Sequence, residues 1–333
     1  MTATGSTNTA VTAEQFALLT EPYRAELLAH CYRMLGSVHD AEDQVQETLV
    51  RAWRSFDRFE GRSSLRTWLY RIATNACLRA IETRRRRPLP SGLGAPAEPG
   101  TRPGPANPEL GWLEPIPDTL FTAPPADPGQ VAVSRSSMRL ALVAALQYLP
   151  GRQRAVLILR DVLGWSAAEV ADLLGATTVA VNSLLQRARA AVGQAAPAES
   201  ELREPDRGRQ RVLLDRYAAA FEAADVTGLL RLLRADAGFE MPPQPAWFTG
   251  RAAIGRFLGD VVLTRPGRFR LRPAAANGQP ALTAYQRDAD GLYQAHGIQV
   301  ITVTGPLISH VVSFNDPGLF AVFGLPPVLD PAG

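Results

Sequence analysis

Asn182 and Gln186 are the side chains in this 333-residue chain whose chemistry is easiest to name. Four residues apart, they share one face of a helix. An Asn or Gln amide pairs bidentately with adenine, and Thr or Val meets a thymine methyl. Thr177, Thr178, Val179 and Ser183 join them on the side facing away from Val181 and Leu184. Arg187 and Arg189 suit phosphate better than a base edge. A second basic group, Arg84, Arg85, Arg86 and Arg87, ends another helical pattern at Pro88. Cations there complement the helix dipole, and they also suit phosphate, which gives affinity without sequence information. An acidic stripe of Asp40, Asp43 and Glu47 would repel DNA, so it is either a solvated face or one that meets a protein. Trp53, Phe56, Phe59, Trp68 and Tyr70 alternate with Arg58, Arg62, Arg66 and Arg71, a composition that can stack unpaired bases. Trp68 at helical spacing reads as core, and the loop Asp57–Ser64 is better placed to touch a base.

These groups need elements to hold them. The stretch Ser166–Ala190 has the grammar of a helix-turn-helix. Ala171 permits close helix approach, Gly175 suits a left-handed turn, and Val181 packs the second helix back on the first. Val170, Leu174 and Leu184 complete the small core. Ser166 and Glu169 form a capping box, and Thr177 caps the second helix. Leu149-Pro150-Gly151-Arg152-Gln153-Arg154 starts a helix upstream, with arginines that could reach flanking phosphates. The first part of the chain reads as helices over Glu21–Leu35, over a segment capped by Ser37 and Asp40, and over Leu65–Arg84.

Residues 88–128 hold 12 of the 27 prolines, which predicts an extended linker. Within it, Trp112-Leu113-Glu114-Pro115-Ile116-Pro117-Asp118 is an apolar island that docks on a neighbouring domain or another protein, or is there by chance. The blocks fall at 14–87, 134–192 and 210–327, with 88–133 as the first linker and a polar one near 193–209. No stretch approaches the ~18 apolar residues of a membrane span, and the first residues lack a secretory pattern. Cys31 and Cys77 lie in apolar helical patterns and read as buried thiols, with no metal-ligand spacing. These features predict a cytoplasmic protein with no membrane partner. The net charge is only +3, and all 35 basic residues are arginine, which with abundant Ala, Gly and Pro reflects GC-rich coding.

Taken together, Asp40–Phe56, Phe59–Arg87 and Leu149–Ala190 resemble the extracytoplasmic-function group of sigma-70-type RNA polymerase sigma factors. The likeness implies two all-α domains: a region 2 bundle and a region 4 helix-turn-helix. It implies core RNA polymerase and promoter DNA as partners. Asp40, Asp43, Gln46 and Glu47 would then dock on polymerase. Arg62, Ser63, Asn75, Arg79 and Arg84–Arg87 would contact the −10 element, with Asn75 at the base-capture position. Thr177, Thr178, Val179, Asn182, Ser183, Gln186 and Arg187 would read the −35 element. Many members carry a basic residue where this chain has Asn182, so its preferred sequence should differ. The family has no catalytic residue, cofactor or metal.

The third block reads as α+β: helices over Arg211–Ala224, over a short segment capped by Thr227, and over Gly250–Val262, then strands at Phe269–Arg272, Leu282–Arg287, Tyr293–Val303 and Leu307–Phe314. Residues 217–258 resemble the SnoaL-like branch of the NTF2-like fold, a helix-and-sheet cone. Asp236, Glu240, Trp247, Tyr285, His296 and His310 are its candidate pocket groups, where a small-molecule ligand would be the further partner. An acid–base site needs two of them to converge; otherwise the histidines are satisfied strand residues. The readings to separate are a promoter-specificity factor regulated by its third block, a chain whose third block is a working enzyme, and a plain helix-turn-helix regulator.

Overall fold

A computed structural model describes residues 12–83, 87–107, 111–121, 136–195 and 207–329. Helix α1 (Ala13–Leu35) begins earlier than the apolar spacing predicts, because Thr12 and Gln15 form a reciprocal capping box. It runs through Pro22, whose ring removes one backbone bond, and Phe16 and Thr20 are already buried ahead of it. Gly36 ends it in the left-handed conformation at φ 72°. Helix α2 (Val38–Ser55) is capped by Ser37, which accepts from the Asp40 amide. The predicted Ser37–Asp40 box is one-sided: the Asp40 carboxylate turns to Arg87, and the Ser37 hydroxyl donates to Glu114 at 2.7 Å. Helix α3 (Leu65–Thr83) packs across α1 and α2.

The second helical unit holds α4 (Leu140–Leu146) and α5 (Gly151–Leu157), which continues through a π turn at Ile158–Val162. Helices α6 (Ala167–Leu174) and α7 (Thr178–Ala195) follow. Arg154 on α5 is internal, so it does not reach toward phosphate. Its guanidinium donates to Met34 O, and to Gln147 O and Leu149 O at 3.1 Å each, satisfying carbonyls at helix C-terminal ends in both helical units. Burial lowers its pKa to about 10, which still leaves it charged at neutral pH.

Helices α8 (Arg207–Glu222) and α9 (Val226–Leu232) open the third unit. The cap of α9 is Asp225, which accepts from Gly228 N at 2.8 Å, and not the predicted Thr227. Strands β1 (Leu233–Glu240) and β2 (Trp247–Thr249), helix α10 (Arg251–Phe257), then β3 (Phe269–Ala276), β4 (Gln279–Arg287), β5 (Tyr293–Thr304) and β6 (Leu307–Phe314) follow. A short α11 (Leu319–Val322) and β7 (Val328–Leu329) close the chain. The sheet order is β2-β1-β6-β5-β4-β3, with β7 on β5; β1 and β6 are parallel and the other pairs antiparallel.

Because side chains alternate across a strand, the sheet has two apolar faces. One packs Phe239, Leu282, Ile301 and Val311 against Tyr217, Phe221, Leu229 and Phe257 of the helices. The other packs Ala281, Ile298, Val300 and Phe314 into the same core as the two helical units. The described linker residues are therefore not a free tether. Leu113 and Ile116 are fully buried in that shared core, and Trp112 is buried as well. Their backbone is tied in as well: Glu114 N donates to Gly36 O at 2.9 Å, and Asn277 N to Ile116 O at 2.9 Å. Burial of three large apolar side chains offsets the entropy that a proline-rich segment loses on docking.

Candidate nucleic-acid interface

The helix-turn-helix forms as its local signals dictate. Ser166 and Glu169 cap α6 reciprocally, and Gly175 takes φ 59° at its end. Thr177 Oγ1 accepts from Ala180 N at 3.2 Å at the start of α7. Val170, Ala171 and Val181 are buried between the helices; Leu185 and Ala188 fill the rest, and Leu184 is only half-buried. The opposite face of α7 carries every predicted reader in the open: Thr177, Thr178, Val179, Asn182, Ser183, Gln186 and Arg187 are all exposed. Val179 is 74% exposed, a large apolar side chain that solvent gives no reason to keep there. The Ser183 hydroxyl donates back to Val179 O at 3.0 Å, so its free capacity is as an acceptor. Arg189 is ion-paired with Asp161 at 2.7 Å.

On the first unit, Asp43, Gln46 and Val50 are exposed on α2 and Glu47 is half-exposed. They edge a groove closed by Arg79 and Thr83 of α3. Arg79 thus stands with the acidic residues. Asp40 leaves this set: it is buried and ion-paired with Arg87, which also donates to Trp112 O at 2.9 Å. The same bond withdraws Arg87 from phosphate contact. Arg84, Arg85 and Arg86 lie outside the described residues. Arg62 and Ser63 are exposed in the loop before α3, with Arg62 paired to Glu60 at 2.6 Å. Phe16, Phe56, Phe59 and Trp68 form one aromatic cluster, with Phe59 and Trp68 4.9 Å apart, so Trp68 packs as predicted.

The two helical units touch through the helix that should read the −10 element. Arg71 on α3 forms an ion pair with Asp172 on α6, and the Tyr70 ring lies 5.5 Å from Trp165. Asn75 sits one turn beyond Arg71 and is half-buried.

The six candidate pocket residues of the third unit separate. Glu240, His310 and Asp236 line one cavity on the sheet face turned toward the helical units. His296 lies on the other face, 5.4 Å from the Phe269 ring, and burial then the Arg268 charge lower its pKa. Trp247 donates to Gly94 O at 3.0 Å, and Tyr285 to Pro326 O at 3.1 Å. The two histidines therefore do not converge. Gln279, which spacing could not reveal, bridges units: it accepts from Leu140 N at 2.8 Å and donates to Thr302 at 2.9 Å.

Residues 19–87 match the Sigma-70 region 2 family, 139–192 the Sigma-70 region 4 family and 214–311 the SnoaL-like domain family. The chain is 52% identical over 316 residues to the ECF RNA polymerase sigma factor SigG of Mycobacterium tuberculosis, covering 94% of this chain and 85% of that protein. The chain is an ECF RNA polymerase sigma factor. SigJ of the same organism is 31% identical over 295 residues, covering 85% of this chain and 86% of SigJ. The crystal structure of a Mycobacterium tuberculosis SigJ superposes with a TM-score of 0.59 at 24% identity over 93% of this chain and all of that one, which shows a shared fold. As a sigma factor the protein directs RNA polymerase to promoters, with region 2 in α1–α3 and region 4 in α4–α7. No single helix among the described residues is long and apolar enough to cross a membrane.

Within this sigma factor the SnoaL-like domain is bonded to both regions. Asn277, buried in the turn after β3, donates to Tyr32 of region 2 at 2.7 Å and to Met138 O at 2.9 Å. Its Oδ1 accepts from Ile116 N of the linker at 3.2 Å. One side chain thus joins region 2, the linker and the start of region 4.

Proposed function

We propose that this sigma factor docks on core polymerase through Asp43, Gln46 and Glu47. It contacts the −10 element with Arg62, Ser63 and Asn75 and reads the −35 element with Thr178, Val179, Asn182 and Gln186. The arrangement described is its resting state, held closed by the SnoaL-like domain and the linker. The observation that carries this is the direct contact of region 2 with region 4 at Arg71–Asp172. The two promoter elements lie about 25 base pairs apart, which at about 3.4 Å each spans about 85 Å of duplex. Regions in contact cannot occupy both at once, so the protein opens to work. The C-terminal domain acts by binding, as a regulatory part of the factor, and the site of action is the cytoplasm.

Run-off transcription with core polymerase tests the docking face. The full chain gives promoter-specific transcripts, and Asp43→Arg/Glu47→Arg gives none and no longer co-elutes with core polymerase. A double variant that still binds and initiates would remove the proposed face.

A further inference from the structure

Arg189 on α7 grips the Asp161 carboxylate with both arms of its guanidinium: Nε donates to Oδ2 at 2.8 Å and Nη2 to Oδ1 at 2.7 Å. Two parallel bonds fix a direction as well as a distance. Asp161 is itself set by the chain around it. The π turn over Ile158–Val162 is closed by Leu163 N, which donates to Ile158 O at 3.0 Å. Trp165 N then donates to Leu159 O at 3.0 Å, and the Arg160 guanidinium donates to Trp165 O. The Trp165 side chain is buried. Asp161 therefore stands on a braced turn.

Arg189 lies three residues beyond Gln186 and seven beyond Asn182, so the three share one stripe of α7. The packed side of the same helix is Val181, Leu185 and Ala188, all buried. Apolar contacts of this kind hold a helix down but have no direction, so they resist its rolling weakly. A roll of about 20° moves a side-chain tip about 5–6 Å from the helix axis by about 2 Å. That is more than a hydrogen bond to a base edge tolerates. A fork at the end of the reading stripe, anchored on a braced turn, opposes such a roll.

We propose that Arg189 is a positioning residue for −35 recognition. Held by Asp161, it sets the roll of α7 and thereby the register at which Asn182 and Gln186 meet the bases. It adds little to folding, because its side chain is 60% exposed and ion pairs so placed contribute little stability. Its effect is on the choice among sequences. This role rests on the reading of the −35 element by α7.

The test is equilibrium binding of the holoenzyme, the full chain with core polymerase, to promoter fragments with and without single-base changes in the −35 element. Asp161→Ala/Arg189→Ala removes the pair and leaves the net charge as it was. This double variant discriminates among the fragments about fivefold less well than wild type. Its melting temperature and its affinity for unrelated DNA stay the same. Each single variant loses as much discrimination as the double, since either one breaks the pair. Arg189→Lys, which keeps the charge and loses the fork, loses discrimination too. A double variant that discriminates as wild type does overturns the role. So does an Asp161→Ala variant that binds every sequence more tightly with discrimination intact, the behaviour of an Arg189 released to phosphate. Failure of the −35 reading itself looks different: wild type and Asn182→Ala then bind all the fragments alike, and the positioning role falls with it.

Discussion

His30 is fully buried between α1 and α3, with Nε2 2.9 Å from Thr74 Oγ1 and no partner for Nδ1 among the described residues. A proton on Nδ1 would have nowhere to bond, and burial followed by the Arg33 charge lowers the pKa from 6.5 to about 3. The folded protein therefore keeps His30 neutral where the unfolded chain protonates it. Stability is full above pH 6.5 and falls as the pH drops from there toward about 3. The slope from this one group approaches about 1.4 kcal/mol per pH unit. Urea midpoints at neutral and mildly acid pH check it: wild type loses stability on acidification, and His30→Gln loses markedly less. Most chemistry-bearing residues of α7 were legible from type and spacing, because an exposed helix face needs no tertiary information. Asp40 was not legible. Its place in the acidic stripe predicts a surface role, and only the arrival of Arg87 from 47 residues away turns it inward.

At the scale of elements, α6 and α7 are determined by local chemistry: a capping box, a left-handed glycine and a threonine cap. Gly175 has open space where a Cβ would stand, so Gly175→Ala meets no clash and carries only the left-handed backbone strain. It should cost about 1–2 kcal/mol of thermal or urea stability. A larger loss would mean that the turn is crowded in solution. On the recognition face, Asn182→Ala and Gln186→Ala each should cost about 1–3 kcal/mol of discrimination at one −35 base pair. Gel shifts with single-base promoter variants read this, and binding to unrelated DNA stays the same because phosphate contacts are untouched. Caps outside the helix-turn-helix were less legible. Thr227 and Asp225 are both competent caps, and spacing alone does not choose between them.

For the whole molecule, the linker is the decisive part. Its composition predicts a tether, and Leu113 and Ile116 of its island become part of a core shared by all three domains, with Trp112 buried as well. Asn277 is the polar counterpart, with φ 58° and bonds to three segments. Asn277→Ala removes those bonds and leaves Tyr32, Ile116 and Met138 groups to find other partners. Region 2 and region 4 should then separate more readily. We expect several-fold higher run-off transcription and a larger radius of gyration by small-angle X-ray scattering. Unchanged transcription alongside a larger radius would show that closure does not limit activity.

The sequence by itself determined the helical units, the helix-turn-helix and the exposed face of its second helix, the mixed third domain and the family to which they belong. These depend on caps, periodicity and motif spacing, all of which act within a few turns of chain. The tertiary structure alone decided that region 4 rests on α3, that the proline-rich segment is packed, and that His296 and His310 face opposite sides of one sheet. The reason is physical: a strand residue's face depends on register and bulges, such as the shift between Thr302 and Val303 where β5 meets β6. Which surfaces meet depends on complementary patches far apart in the chain. Asn277 and Gln279 carry no motif, and their roles arise only from what the fold sets beside them.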